Sequence, residues 1–510
     1  MEKTSPLEQE IMLLRQELAA KNNSLQEKNN HIKILEEYIL SLKQKQFCSS
    51  SEKLSPAQAE LFDEADGDAA EIEADHVASI DTIEIPAHTR STKRRVSIPA
   101  DIPRVDILHD LPDDQKICPH DGTVLKRIGS ETHVQLDIIP AKVQALNHIR
   151  YKYACPCCEK HLLTATKPAQ PIEKSIASPG LLAYIATQKY VDALPLYRQV
   201  EIFKRIGIEM DRGTLASWMV KCGQLVQPLI NLIHEKILEQ DFLHMDETQV
   251  QVLNEPNKTA QSKSYMWVLC STLPTASAVL FRYEPTRSGD AAKELLHNFS
   301  GALMVDGYEG YNATCIKNGI TRLGCWAHAR RRFIEAQKTQ PKGKTGKADQ
   351  ALAYIQQLYR VEQSISDKTS DEKYQARQQQ SQVILNKLKQ WLDKSQSQVP
   401  PKTALGKALY YLDSQWLRLI NYMQSGDYPI DNNAAENAIR PFVIGRKNWL
   451  FSASQQGATA SANLYGLIET AKANGLEPYA YLKRVFAELP NVTTVEQIEN
   501  LLPWNLTINE

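Results

Sequence analysis

"FLHMDETQVQVL", residues 242–253, begins as a short apolar run, meets two adjacent acids, Asp246 and Glu247, and then resumes the polar–apolar alternation of a strand. Four more strand-like runs follow: "KSYMWVLCST", "ASAVLFRYEP", "GALMVDGYEGY" and "ITRLGCW". After them come a long polar helical stretch, from about 345 to 425, and "YPIDNNAAENAIRPFVIGRKNWLF". Asp246 closes the first strand, and Asp306 closes the fourth after four apolar residues. If those two strands are neighbours, their carboxylates converge at the lip of one sheet. Adjacent strand residues point to opposite faces. Only one of the two can therefore join the cluster; the apolar lead-in chooses Asp246 and leaves Glu247 as a neighbour that tunes the site or faces solvent.

A third acid is expected on a helix packed against that sheet, and "DNNAAENAIRP" supplies it. Asp431 reads as the N-cap, and Asn433, Glu436, Asn437 and Arg440 fall on one helical stripe that Pro441 terminates or interrupts. Glu247, Glu309 and Asp431 compete for the same roles. Three carboxylates in one cleft need a counter-charge, because like charges push each other's pKa upward. Two Mg²⁺ or Mn²⁺ ions about 3.5–4 Å apart would meet that need, activating a water or a 3′-hydroxyl on one side of a phosphodiester and stabilising the leaving oxygen on the other.

The flanking sequence sets the organisation. The chain has 510 residues, 59 Lys and Arg against 60 Asp and Glu, and a net charge of -1, so only local clusters bear on nucleic acid. Its start lacks a signal-peptide pattern and no apolar run approaches the ~20 residues that span a bilayer, so a cytoplasmic protein is expected. Ile11, Leu14, Leu18, Leu25, Ile32, Leu35, Ile39 and Leu42 follow heptad positions, interrupted by Lys21 and Lys28. This predicts a coiled coil over residues 8–46 and a homo-oligomer, with a helix packed on the body as the alternative. Residues 47–104 read as a linker, acidic and then basic around Lys93, Arg94 and Arg95.

Within residues 105–170, "CPHDG" and "CPCC" flank a hydrophobic hairpin pattern. Cys118, Cys155 and Cys158, with His120 or Asp121 as the fourth ligand, suit a structural Zn²⁺ ribbon; reduced, buried cysteines are the alternative. Residues 171–240 read as helical. In "ALPLYRQVEIFKRIGIEMDRGTLASWMVKCG" one helix would run over 197–205, Gly207 would make the turn, and Asp211 would cap a second helix bearing Thr214, Ser217 and Trp218. That is helix-turn-helix anatomy, with Arg212 and Thr214 as DNA-contact candidates.

"HMDET", "MVDGYEGY", "GCWAHARRRF", "DNNAAENAIRPFVIGRKNWLF" and "AKANGLEPYAYL…LP…IENLLPWN" together resemble the DDE transposases of bacterial insertion sequences of the sixty-six family. The likeness runs nearly end to end. It implies a multidomain α+β protein: coiled coil, zinc-ribbon-like module, helix-turn-helix region, and an RNase-H-like mixed α/β catalytic domain over 241–475, with a C-terminal helical tail over 476–510. Asp306 and Glu436 lie 436 − 306 = 130 residues apart, which implies a helical insertion at about 340–428. The resemblance makes Asp246, Asp306 and Glu436 the metal-binding catalytic triad. It implies hydrolytic nicking at element ends and then attack of the freed 3′-hydroxyl on target DNA. Cys325 and His328 match a Cys-x-x-His signature near such sites and are auxiliary candidates. Arg330, Arg331, Arg332, Arg440, Arg446, Lys447 and Trp449 are candidates for phosphate and base contacts. Implied partners are the terminal inverted repeats, target DNA and accessory proteins of the same element, in a cytoplasmic, nucleoid-associated setting. The chain departs from the family at Asp121, where many members have cysteine. An inactive DNA-end-binding relative and a metal-dependent nuclease without joining remain the alternative readings.

Overall fold

A computed structural model of the chain describes residues 6–47, 142–154, 162–272, 277–340 and 345–506. The zinc candidates Cys118, His120, Asp121, Cys155 and Cys158, and the linker, lie outside the described residues. The chain divides into two units, one of residues 72–167 and one of residues 1–71 with 168–510.

In the smaller unit, strands β1 (Lys152–Ala154) and β2 (Leu162–Thr164) pair antiparallel with Tyr153 opposite Leu163. Arg150 Nε donates to the Ala165 carbonyl at 2.6 Å. In the larger unit, helix α1 spans Pro6–Phe47, and six heptad residues on it, Leu14, Leu18, Leu25, Ile32, Leu35 and Ile39, are 46–62% exposed.

Helices α2 (Pro179–Tyr190), α3 (Leu196–Arg205), α4 (Arg212–Leu225) and α5 (Gln227–Leu238) precede the sheet. Gly207 turns between α3 and α4 at φ +82°, a left-handed conformation that glycine adopts without Cβ strain. The Asp211 carboxylate accepts from the amides of Gly213 and Thr214 and so caps α4.

Strands β3 (Phe242–Asn254), β4 (Lys263–Ser271) and β5 (Ala278–Glu284) form an antiparallel meander. Helix α6 (Gly289–Leu295) leads to β6 (Ala302–Val305), and α7 (Asn312–Asn318) leads to β7 (Thr321–Gly324). Both β6 and β7 run parallel to β3, so the sheet order is β5-β4-β3-β6-β7. All four residues of β6 are buried, as the unbroken apolar run "ALMV" requires of a strand covered on both faces.

Next come α8 (Trp326–Lys338), α9 (Lys347–Ser364), α10 (Ser370–Ala376), α11 (Gln382–Gln396), α12 (Ala404–Ser414) and α13 (Trp416–Ile420). These helices build their own core, in which Trp326 and Phe333 of α8 meet Ile355, Leu358, Leu388, Leu412 and Tyr422. The polar stretch between the fourth strand and Glu436 is thus a helical subdomain, and α8 belongs to it. The chain then returns through α14 (Asn433–Trp449), β8 (Ser452–Ser454), which pairs with the far end of β3, and α15 (Gln455–Ala473), α16 (Pro478–Glu488) and α17 (Val495–Glu499).

Helices α2, α4, α5, α15 and α16 share one hydrophobic core with the sheet. The boundaries expected at 240 and 475 therefore do not separate cores. Two expectations for α14 need correction. The N-cap position is Asn432, not Asp431, whose carboxylate still accepts from the Asn433 amide at 3.3 Å. Pro441 does not end or break the helix, which continues eight residues beyond it. Ile439, Phe442, Val443 and Gly445 are buried around it, and that burial outweighs the ~3 kcal/mol that an interior proline costs. No described helix is long and apolar enough to cross a membrane.

Where α15 crosses α4, a Cβ on Gly223 would lie 2.5 Å from both Cα and Cβ of Ala460. Gly223→Ala must push the helices apart, and we expect a loss of about 1–3 kcal/mol as a lowered urea midpoint; an unchanged midpoint would show that the crossing has slack.

Candidate active site

Pairing of β3 with β6 sets Phe242 opposite Ala302, Leu243 opposite Leu303 and His244 opposite Met304, an offset of 302 − 242 = 60. Carried two residues on, the same offset sets Asp246 beside Asp306, just past the end of β6, since 306 − 246 = 60. Burial, followed by the charges of Glu247, Asp306 and Glu436, pushes the Asp246 carboxyl well above the usual carboxylate range. The Asp306 side chain accepts from the Tyr308 amide at 2.9 Å. Its turn is fixed by Arg322, whose guanidinium donates to the carbonyls of Asp306 and Tyr308, both at 2.7 Å.

Glu247 does not face solvent: its side chain is 1% exposed. Burial and Asp306 raise its carboxyl, against the opposing charge of Arg287. Arg287 Nε donates to Oε1 at 2.5 Å, the Tyr311 hydroxyl donates to Oε2, and Arg287 stacks 4.0 Å from the centre of the Tyr308 ring. The same guanidinium lies 3.8 Å from Asp306 Oδ2. Strand alternation does separate Asp246 from Glu247. Asp306, standing beyond its strand's last residue, nevertheless acts on both.

Helix α14 brings in Glu436, and Asn432 sets where that helix starts. Its side-chain amide donates to the Met245 carbonyl at 3.0 Å, its Oδ1 lies 2.9 Å from His244 Nδ1, and its backbone N–H donates to Cys325 Sγ at 3.2 Å. Burial lowers His244 to about 4, so the ring is neutral at neutral pH, and the acceptor Oδ1 assigns its proton to Nδ1. Glu436 is itself buried, with Oε1 3.6 Å from His328 Nδ1 and Oε2 3.5 Å from Arg331. Cys325, His328 and Glu436 each offer a ligand atom within 4.8 Å of the others. Burial, then Glu436 and Asp431, push the Cys325 thiol up.

Of the competing acids, Glu247 joins the cluster and the other two differ from it. Asp431 accepts from the Tyr359 hydroxyl of α9 at 2.9 Å, and Glu309 is exposed. Of the candidate DNA contacts, Arg212, Thr214, Arg332 and Lys447 are exposed and Arg330 and Arg440 are half-buried. Three turn inward: Arg331 to Glu436, Arg446 to the Thr248 hydroxyl at 3.3 Å, and Trp449 onto Phe442 with ring centres 5.4 Å apart. Sequence reasoning missed Asn432, His244, Arg287 and Tyr311. The one available signal was His244 inside an apolar run, since a buried imidazole needs a partner. Hard oxygen donors at Asp246, Asp306 and Glu436, the last two of which raise the Asp246 carboxyl, suit Mg²⁺ or Mn²⁺.

The family model described as Transposase IS66 family matches residues 174–460. Models described as IS66 C-terminal element, zinc-finger binding domain of transposase IS66 and Transposase C of IS166 homeodomain match residues 466–504, 115–159 and 34–107. Among curated proteins, "Uncharacterized protein y4jD" of Sinorhizobium fredii (strain NBRC 101917 / NGR234) is 32% identical over 422 residues, 80% of this chain and 81% of its own. "Uncharacterized protein y4qI" of the same strain is 32% identical over 392 residues, 74% of this chain and 71% of its own. "Uncharacterized protein y4hP" is 27% identical over 448 residues, 84% of this chain and 80% of its own. No solved structure matches the chain.

A carboxyl raised in the folded state contributes stability that is present below its unfolded pKa, near 4, and lost as pH rises through the folded value. Asp246→Asn is therefore expected to stabilise the metal-free chain at pH 7 by on the order of 1–2 kcal/mol, with the gain vanishing below about pH 4. Denaturation midpoints in chelator across that range measure it. A variant no more stable than the parent at pH 7 would mean that Asp246 is not crowded.

Proposed function

The chain belongs to the Transposase IS66 family, and on that premise we propose that it cuts DNA at the ends of an insertion sequence and joins the freed 3′-hydroxyls to target DNA. Asp246, Asp306 and Glu436 are the residues proposed to hold two Mg²⁺ or Mn²⁺ ions. The observation that carries this reading is the register that sets Asp246 beside Asp306, with Asn432 tying the start of the Glu436 helix to the residue before Asp246. The order β5-β4-β3-β6-β7, an antiparallel meander followed by two parallel strands, supports an RNase-H-like catalytic domain over 241–475 with the α9–α13 helices as its insertion.

Bound divalent ions would supply activation of the attacking water or 3′-hydroxyl and stabilisation of the leaving oxygen. The chain's own residues do the positioning. Arg287 and Tyr311 hold Glu247 against the strand and leave Asp246 to face Glu436. Arg331 and His328 orient the Glu436 carboxylate from either side. Asn432 and neutral His244 keep α14 at a fixed height along β3.

DNA is the partner the family implies. Exposed Arg212 and Thr214 at the capped start of α4 support a duplex contact there, and exposed Lys447 on α14 is a separate candidate for a phosphate. The exposed seam of α1 supports self-association through a coiled coil. A structural Zn²⁺ ribbon is supported by the zinc-finger match and by the β1–β2 hairpin that brackets Cys155 and Cys158.

A labelled element-end duplex, target DNA and Mg²⁺ test the proposal directly. Glu436→Gln should reduce joined product by at least two orders of magnitude, the scale expected when a transition-state contact is removed, while folding is retained. Asp431→Asn should keep most activity. The reverse pattern would move the third carboxylate to Asp431, and cut ends without joined product would indicate a nuclease.

A further inference from the structure

Cys325 is the N-cap of α8, and His328 lies three residues on, in that helix's first turn. Both face Glu436, which comes from the first turn of α14, and the three ligand atoms lie within 4.8 Å of one another. We propose that Cys325, His328 and Glu436 form a second cation site, for a borderline-soft divalent ion of the zinc class, which shares Glu436 with the hard-cation site.

The donor set selects the ion. Thiolate, imidazole and carboxylate match Zn²⁺ or Co²⁺, whereas Mg²⁺ takes oxygen donors and rejects sulfur. The geometry is close to what such an ion needs. Tetrahedral zinc with bonds of about 2.0–2.3 Å has ligand–ligand edges of about 3.5 Å. His328 Nδ1 and Glu436 Oε1 are already 3.6 Å apart, and the three ligand atoms all lie within 4.8 Å of one another. The surroundings serve as outer support. The Asn432 amide donates to Cys325 Sγ and partly offsets the burial and acid charges that raise the thiol, and Arg331 orients the Glu436 carboxylate through Oε2. His328, 24% exposed at its side chain, provides the entry path, and three protein ligands leave a fourth position for water. Occupancy would draw Glu436 away from Asp246 and Asp306, so a zinc-class ion would oppose the Mg²⁺-dependent reaction. That consequence rests on the catalytic reading of Glu436; the site itself does not.

The test uses the full chain with Cys118, Cys155, Cys157 and Cys158 changed to Ser, which removes the ribbon thiols. Titrated with Co²⁺ in the presence of excess Mg²⁺, it should show a sulfur-to-cobalt charge-transfer band that saturates at one thiolate-bound ion per chain. Cys325→Ser should abolish the band, and His328→Asn should weaken cobalt binding about tenfold or more. No band with Cys325 present, or a band that survives Cys325→Ser, overturns the proposal. If circular dichroism shows that Cys325→Ser has unfolded the chain, unchanged cobalt affinity in His328→Asn overturns it instead. Loss of strand transfer in Glu436→Gln is read separately, so the catalytic assignment and the cation site fail independently.

Discussion

Four carboxylates, Asp246, Glu247, Asp306 and Glu436, crowd the end of one sheet, and their mutual repulsion is the constraint to which the surrounding structure responds. Each is compensated differently. Glu247 is neutralised inside the protein by Arg287 and Tyr311, and Glu436 stands between His328 and Arg331. Asp306 has the Tyr308 amide and a more distant Arg287, and Asp246, among the described residues, has the backbone amide of Glu247. Of the four, Asp246 is therefore the one whose charge is least offset.

Helix placement relieves the same repulsion. Both α8 and α14 begin beside Glu436, at Cys325 and Asn432, and the two starts are joined by the Asn432 amide on Cys325 Sγ. A helix start carries about half a positive charge and unpaired N–H groups. Two such ends at one point offset the acids without placing mobile cations in the cleft. The helical subdomain holds the second start in place. Arg377 pairs with Glu362 and donates to the carbonyls of Tyr422 and Ser425, while Tyr359 holds Asp431. The segment returning to α14 is thus pinned on the subdomain side as Asn432 pins it on the sheet side.

What could be read in advance follows from the range of each interaction. The five strands, the Asp211 cap and the helical stretch before Glu436 are local patterns of two- or 3.6-residue period and could be read directly. Asp246 and Asp306 could be paired because both end apolar runs, but Asp246 does not close its strand as expected: β3 continues eight residues beyond it, held by its ladder with β4. Glu247 misled because alternation describes the inside of a strand, whereas Asp306 acts on it from beyond a strand end. Asn432, 187 positions from the Met245 carbonyl it binds, has no local signature. Arg331, Arg446 and Trp449 look like any basic or aromatic surface residue until tertiary packing turns them inward, and Pro441 looks like a stop until burial around it is counted.

The inward turn of those residues narrows where DNA can be held. Arg331 is committed to Glu436 and Arg446 to Thr248, so each fixes the geometry of α14 against β3 rather than reaching for phosphate. Arg446 is buried, and its charge is disfavoured by that burial, which an arginine meant for phosphate would avoid. Lys447, the next residue, is exposed, as are Arg212 and Thr214 at the start of α4. On α14, then, Glu436 and Arg446 are buried while Lys447 faces outward. A helix wedged between sheet and subdomain can bury one charged residue and expose the next because successive residues point about 100° apart around its axis.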